Sequence, residues 1–135
     1  MELTIDQAIQ QGVAAHKEGK LEEAEKLYRA ILGTQPSHAD ANHNLGVLAV
    51  SVGKVQEALP HFKTALDANA KVEQYWLSYI DALVNSINKK INEISWKPDL
   101  IIASYHGIPK KYFDKGDPYH CYCHKTSRLI SEKFS

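Results

Sequence analysis

Sliding the chain 34 residues along itself places Gly12 on Gly46, Ala15 on Ala49, Gly19-Lys20 on Gly53-Lys54, Ala24 on Ala58 and Leu32 on Leu66, with Tyr28 falling on Phe62. A period of this length marks a repeated supersecondary unit. Such a unit cannot bury its apolar face alone, so it stacks on copies of itself. Within each copy the Gly-Lys pair separates two amphipathic stretches and lets the chain reverse. Leu21 to Leu32 carries apolar residues at 21, 24, 27, 28, 31 and 32, a helical stripe. Gly12, Gly46, Ala24 and Ala58 are small where paired helices must approach, and Tyr28 and Phe62 fill the space between one pair and the next. Pro36 separates the copies, because proline cannot continue a helix, and Ala70 stands at its position in the second. Pro60, near the start of the fourth expected helix, predicts a mild local distortion.

The second copy reads Asn42-x-x-Leu45-Gly46-x-x-Ala49, then Ala58-x-x-x-Phe62. This resembles the tetratricopeptide repeat with its Trp and Tyr positions altered, and a third copy opens at Trp76, Tyr79, Ile80 and Leu83. The resemblance runs over about residues 4–83. It implies a helix-turn-helix solenoid of about two and a half repeats, a domain over 1–83, whose first helices line a concave groove for a peptide or protein partner. The groove candidates are Asp6, Ile9, Val13, His16 and Lys17 on the first such helix and Asp40, His43, Asn44, Val47 and Val50 on the second. The set lacks the Lys/Arg cluster with which some members of that family grip a terminal carboxylate. The alternative for each apolar candidate is that it only packs against the neighbouring helix. At least ~3 repeats are typical of a stable array, so a cap is expected. Apolar residues at 83, 84, 87, 91 and 94 extend a helix from about Glu73 to Ile94 that serves as one.

Past Leu83 the character changes. The first 84 residues carry 7 Lys/Arg and 11 Asp/Glu and the rest carry 9 and 5, so an acidic front of −4 meets a basic back of +4. Lys97-Pro98-Asp99 ends the helix, Leu100 to Tyr105 reads as a buried strand, Lys110 to Asp117 as a loop, and Thr126 to Phe134 as a last helix. A mainly α chain closing in a short α/β segment over 84–135 is therefore expected. One strand makes no sheet, and its open edge predicts pairing with a second copy in a homodimer.

In Ser104-Tyr105-His106-Gly107-Ile108-Pro109, Tyr112-Phe113, Gly116-Asp117-Pro118-Tyr119 and Lys125-Thr126-x-Arg128-Leu129 this segment resembles ferrochelatase, which inserts ferrous iron into protoporphyrin IX in haem synthesis. The resemblance makes His106 the catalytic residue, through metal delivery or proton abstraction from pyrrole nitrogen, with Tyr105, Ile108, Pro109 and Tyr112 on the porphyrin side. A neutral imidazole suits either role. Ferrous iron and protoporphyrin IX enter as substrates, His106 as a possible iron ligand, and no resident cofactor is read from the residues. The family fold has two Rossmann-like halves and an acidic partner later in the chain, so a partial site is expected here. His120-Cys121-Tyr122-Cys123-His124 offers two thiols and two imidazoles for zinc or iron, but structural zinc prefers ~2–4 residues between paired cysteines, so the run counts as a weaker metal candidate.

The basic residues of the back half are scattered (Lys89–Lys90, Lys97, Lys110–Lys111, Lys115), which argues against a nucleic-acid partner. The N-terminus has acids where a signal peptide needs bases, and the run Leu100 to Ala103 is too short to span a bilayer. Two cysteines make no disulfide framework, so a reducing cytoplasm is expected. Two functions follow: a protein-binding scaffold carrying an incomplete ferrochelatase-like segment, or a ferrochelatase-type enzyme acting through His106.

Overall fold

Thr4 opens the first helix by donating its backbone N–H to Gln7 Oε1 at 3.0 Å and accepting the Gln7 N–H on its hydroxyl at 3.2 Å. This reciprocal capping box satisfies two otherwise orphaned donors. Asp6 in the first turn and His16 and Lys17 in the last match the helix dipole. The structure is a computed structural model that describes residues 3–95, 126 and 128–132. Among them run α1 (Ile5–Lys17), α2 (Leu21–Thr34), α3 (Ala39–Ser51), α4 (Val55–Ala68) and α5 (Glu73–Glu93), and residues 126 and 128–132 are also helical. The chain divides into two compact units, Met1–Ser86 and Ile87–Ser135. The strand expected over 100–105 lies outside the described residues.

The 34-residue period is visible in the backbone itself. Gly19 and Gly53 have φ of 77° and 79°, the left-handed region that glycine enters without a Cβ penalty. Around Gly19, the Lys20 N–H reaches Ala15 O at 2.9 Å and the Gly19 N–H reaches His16 O at 3.0 Å. Around Gly53, Lys54 N–H reaches Ala49 O at 2.8 Å and Gly53 N–H reaches Val50 O at 2.9 Å. Both are Schellman closures, which end α1 and α3 identically and turn the chain into α2 and α4.

Packing repeats with the same period. A Cβ on Gly12 would stand 2.5 Å from Tyr28 Cε1, and one on Gly46 would stand 2.6 Å from Phe62 Cε1. Each aromatic ring therefore lies flush on the glycine of its paired helix. Tyr28 joins Ala15, Ala24, Leu45 and Leu48, tying α1 and α2 to α3. Phe62 joins Ala49, Ala58 and Ala82, tying α3 and α4 to α5. Ala65, Leu66, Tyr75 and Trp76 close the next layer, and the Trp76 indole donates to Ala70 O at 2.9 Å. The expected inter-pair role of Tyr28 and Phe62 is thus what the packing shows.

Asn42, buried in α3, fastens the loop between copies. Its side-chain N–H groups donate to Pro36 O at 2.9 Å and His38 O at 3.0 Å, and its carbonyl oxygen accepts from His61 Nδ1 of α4 at 3.1 Å. Helix α4 runs through Pro60 uninterrupted.

Candidate partner groove

Offsets of 34 residues put Asp6 and Asp40, Ile9 and His43, and Val13 and Val47 at corresponding places on α1 and α3. The structure sorts these candidates by what they touch. Ile9 is half-buried and packs against two core clusters, so much of it serves the fold. Val13, His16 and Asn44 are half-buried, and Lys17 is exposed. Val47 and Val50 are half-buried against the layer of Ala49, Phe62 and Ala82.

His43 is the best-anchored member. Its ring lies 4.8 Å from the Tyr75 ring and 5.7 Å from Phe62, centroid to centroid, and its Nε2 shares a 2.9 Å hydrogen bond with Ser78 Oγ. Burial pushes the imidazole below its usual value, and the Asp40 carboxylate partly opposes that. Tyr75 OH donates to Asp40 Oδ1. Burial, then this carboxylate, raise the Tyr75 phenol well above the usual range, so it stays a neutral donor. Two polar bonds and a tilted ring contact therefore clasp α3 to α5.

The residues of α5 on this face, Tyr75, Ser78, Asp81 and Asn85, are absent from the set read in the sequence. Part of the signal was available: the 34-residue offset carries Asn44 to Ser78 and Val47 to Asp81. The clasp itself runs at an offset of 35, Asp40 to Tyr75 and His43 to Ser78, so the repeat alignment hides it. Between α3, α4 and α5 opens a cavity of about 160 Å³ lined by Val47, Val50, Phe62, Ser78, Asp81, Ala82 and Asn85. Apolar walls with a few polar groups are the usual make-up of a recognition site.

Tyr105, His106, Ile108, Pro109, Tyr112, His120, Cys121, Cys123 and His124 lie outside the described residues. Among the described residues no group of three or more His, Cys, Asp or Glu is placed to hold a metal ion, and no helix is long and apolar enough to cross a membrane.

Two family models match the chain: one described as ferrochelatase over residues 48–135, and one described as tetratricopeptide repeat over residues 9–73. Ferrochelatase of Rhizobium meliloti (strain 1021) is 62% identical over 55 residues, which are 41% of this chain and 16% of the relative. Ferrochelatase of Allorhizobium ampelinum is 58% identical over 55 residues, with the same shares. Ferrochelatase of Rhodobacter capsulatus is 52% identical over 56 residues, 42% of this chain and 16% of the relative. The chain thus spans about a sixth of the length of these curated relatives.

Proposed function

The chain belongs to the ferrochelatase family and carries tetratricopeptide repeats, and from that premise we propose that it is a protein-binding scaffold, holding an extended partner segment on α1, α3 and α5, joined to a partial ferrochelatase segment. The observation that carries this reading is the clasped α3–α5 face, where half-buried Val47 and Val50 and anchored His43 stand beside a cavity. Residues already fixed in place lose little conformational freedom on binding. The division of labour is 1–83 for the repeats and 84–135 for the ferrochelatase-like segment, in a cytoplasmic protein. The test is peptide display against the purified full chain, with selected peptides measured by fluorescence anisotropy. A Val47→Glu variant is expected to lose about tenfold or more in affinity, the cost of a charge set in a desolvated apolar contact. Selected peptides that bind Val47→Glu and wild type equally sink the reading.

A second reading rests on the 62% identity over 55 residues to a ferrochelatase. In it His106 ligates ferrous iron or takes a pyrrole proton during insertion into protoporphyrin IX, flanked by Tyr105, Ile108, Pro109 and Tyr112. Titration with protoporphyrin IX and ferrous iron, followed by absorbance against His106→Ala, tests it. Insertion that depends on His106 supports the enzyme; porphyrin spectra unchanged by wild type count against it.

A further inference from the structure

We propose that the cavity between α3, α4 and α5 takes an uncharged apolar side chain, no larger than a phenyl ring, from the segment held in the groove. The inference rests on the groove reading above and names what that groove selects. Four of the lining residues are apolar: Val47 and Val50 of α3, Phe62 of α4 and Ala82 of α5. The polar lining comes from α5 alone, and it is already served. Ser78 Oγ is bonded to His43 Nε2 at 2.9 Å, and Asp81 has an interaction partner of its own. Asn85 is exposed, where water satisfies its amide.

A charged or amide head placed here would give up water for groups that are already bonded or hydrated, and that costs free energy. An apolar side chain has no such cost and gains the burial of its surface. Size sets the upper limit. An apolar cavity of about 150 Å³ accepts benzene, and this one measures about 160 Å³, so leucine or a phenyl ring fits and an indole does not. Apolar surface also continues past the cavity. Leu77 of α5 is 40% exposed and stands one helical turn before Asp81. A segment with one side chain in the cavity therefore lies over Leu77 as well. A second copy of the chain is the poorer match, since a stable interface buries about 1,200–2,000 Å², far more than a site for one side chain.

The repeat register gives the site its place. One copy earlier, the positions of Val47, Val50 and Phe62 are held by Val13, His16 and Tyr28, so an imidazole replaces Val50 there and a phenol replaces the phenyl ring. The wholly apolar set of three occurs on α3 and α4. A partner segment is thereby set in one register, with its apolar side chain between α3 and α5.

The experiment uses the full chain and three pools of fluorescein-labelled short peptides, acetylated and amidated, with random flanks and a central Leu, Asn or Trp. Leu and Asn are close in size, so they separate polarity from volume. The Leu pool is expected to bind about tenfold more tightly than the Asn pool, the scale of burying one leucine side chain, and more tightly than the Trp pool. Val50→Phe, with its helix content checked by circular dichroism, fills the cavity and is expected to erase the Leu-over-Asn preference. Val47→Ala widens the cavity and is expected to admit the Trp pool. Leu77→Ser, outside the cavity, is expected to weaken the Leu and Asn pools by a similar factor and to keep their ratio. Equal binding of Leu and Asn pools, a Trp pool that binds wild type most tightly, a Leu preference that survives Val50→Phe, or one that Leu77→Ser erases overturns the cavity site and leaves the groove standing. Self-association of the chain that excludes the Leu pool also overturns it, since the occupant is then a second copy. Failure of every pool to bind overturns the groove reading together with it.

Discussion

At the scale of single residues, Tyr28 and Phe62 perform the same packing task, but only one brings a hydroxyl. Tyr28 is fully buried and its OH has no hydrogen-bond partner among the described residues. Leaving such a group unpaired costs about 1–3 kcal/mol. Tyr28→Phe, which copies the second repeat into the first, is expected to raise stability by about 1 kcal/mol in urea unfolding, with an unchanged slope. Gly46→Ala should do the opposite. The new methyl would crowd Phe62, which is 1% exposed and closed in by Ala49, Ala58 and Ala82. Overpacking of about 1–3 kcal/mol exceeds the ~1 kcal/mol that alanine gains over glycine as a helix former, so a net loss is expected in the same measurement.

Two half-buried histidines set a pH response at this scale. His43 is held down by burial, against Asp40; His61 is held down by burial and by Arg29, against Glu57. Both lie below the ordinary value of 6.5 when folded. The unfolded chain then takes up protons first as pH falls. Their contribution to stability is complete above about pH 6.5 and declines below it. Thermal melts are expected to show a lower midpoint near pH 5.5 than near pH 7.5. In the double variant His43→Gln, His61→Gln that difference should shrink.

At the scale of elements, α4 shows tertiary packing outweighing local preference. Pro60 sits in the sixth position of Val55–Ala68, lacks a donor for the Gln56 carbonyl, and yet the helix continues. Ala58, Phe62, Ala65 and Leu66, all buried on one side, hold it in place. Pro60→Ala, at an exposed position, is expected to stabilise the chain by about 1–3 kcal/mol, read as a higher midpoint in urea. The sequence pattern was clearest where geometry leaves few choices. Gly19 and Gly53 announce a reversal of the chain, and Gly12 and Gly46 a close approach of paired helices; the structure adds the left-handed φ at the first two and the ring seated on each of the second two, where a Cβ would not fit. It was least clear on α5. There Leu77 and Asp81 replace His43 and Val47, and the bonds to Asp40 and His43 come from Tyr75 and Ser78, one residue off the repeat. A pairing between helices depends on how they slide against each other, which a period along the chain does not encode.

At the scale of the whole molecule, a repeat scaffold and a ferrochelatase segment share one chain, and the two family matches overlap over residues 48–73. Helix α5 belongs to the groove through Tyr75, Ser78 and Asp81 and to the ferrochelatase match through its position in the chain. The central claim is that the groove face of α1, α3 and α5 is where a partner lies. The most direct measurement is hydrogen–deuterium exchange on the full chain, with and without the tightest display-selected peptide. The account predicts slowed exchange in α1, α3 and α5, with α2 and α4 little changed. Protection confined to α2 and α4, or to none of the five helices, would contradict it.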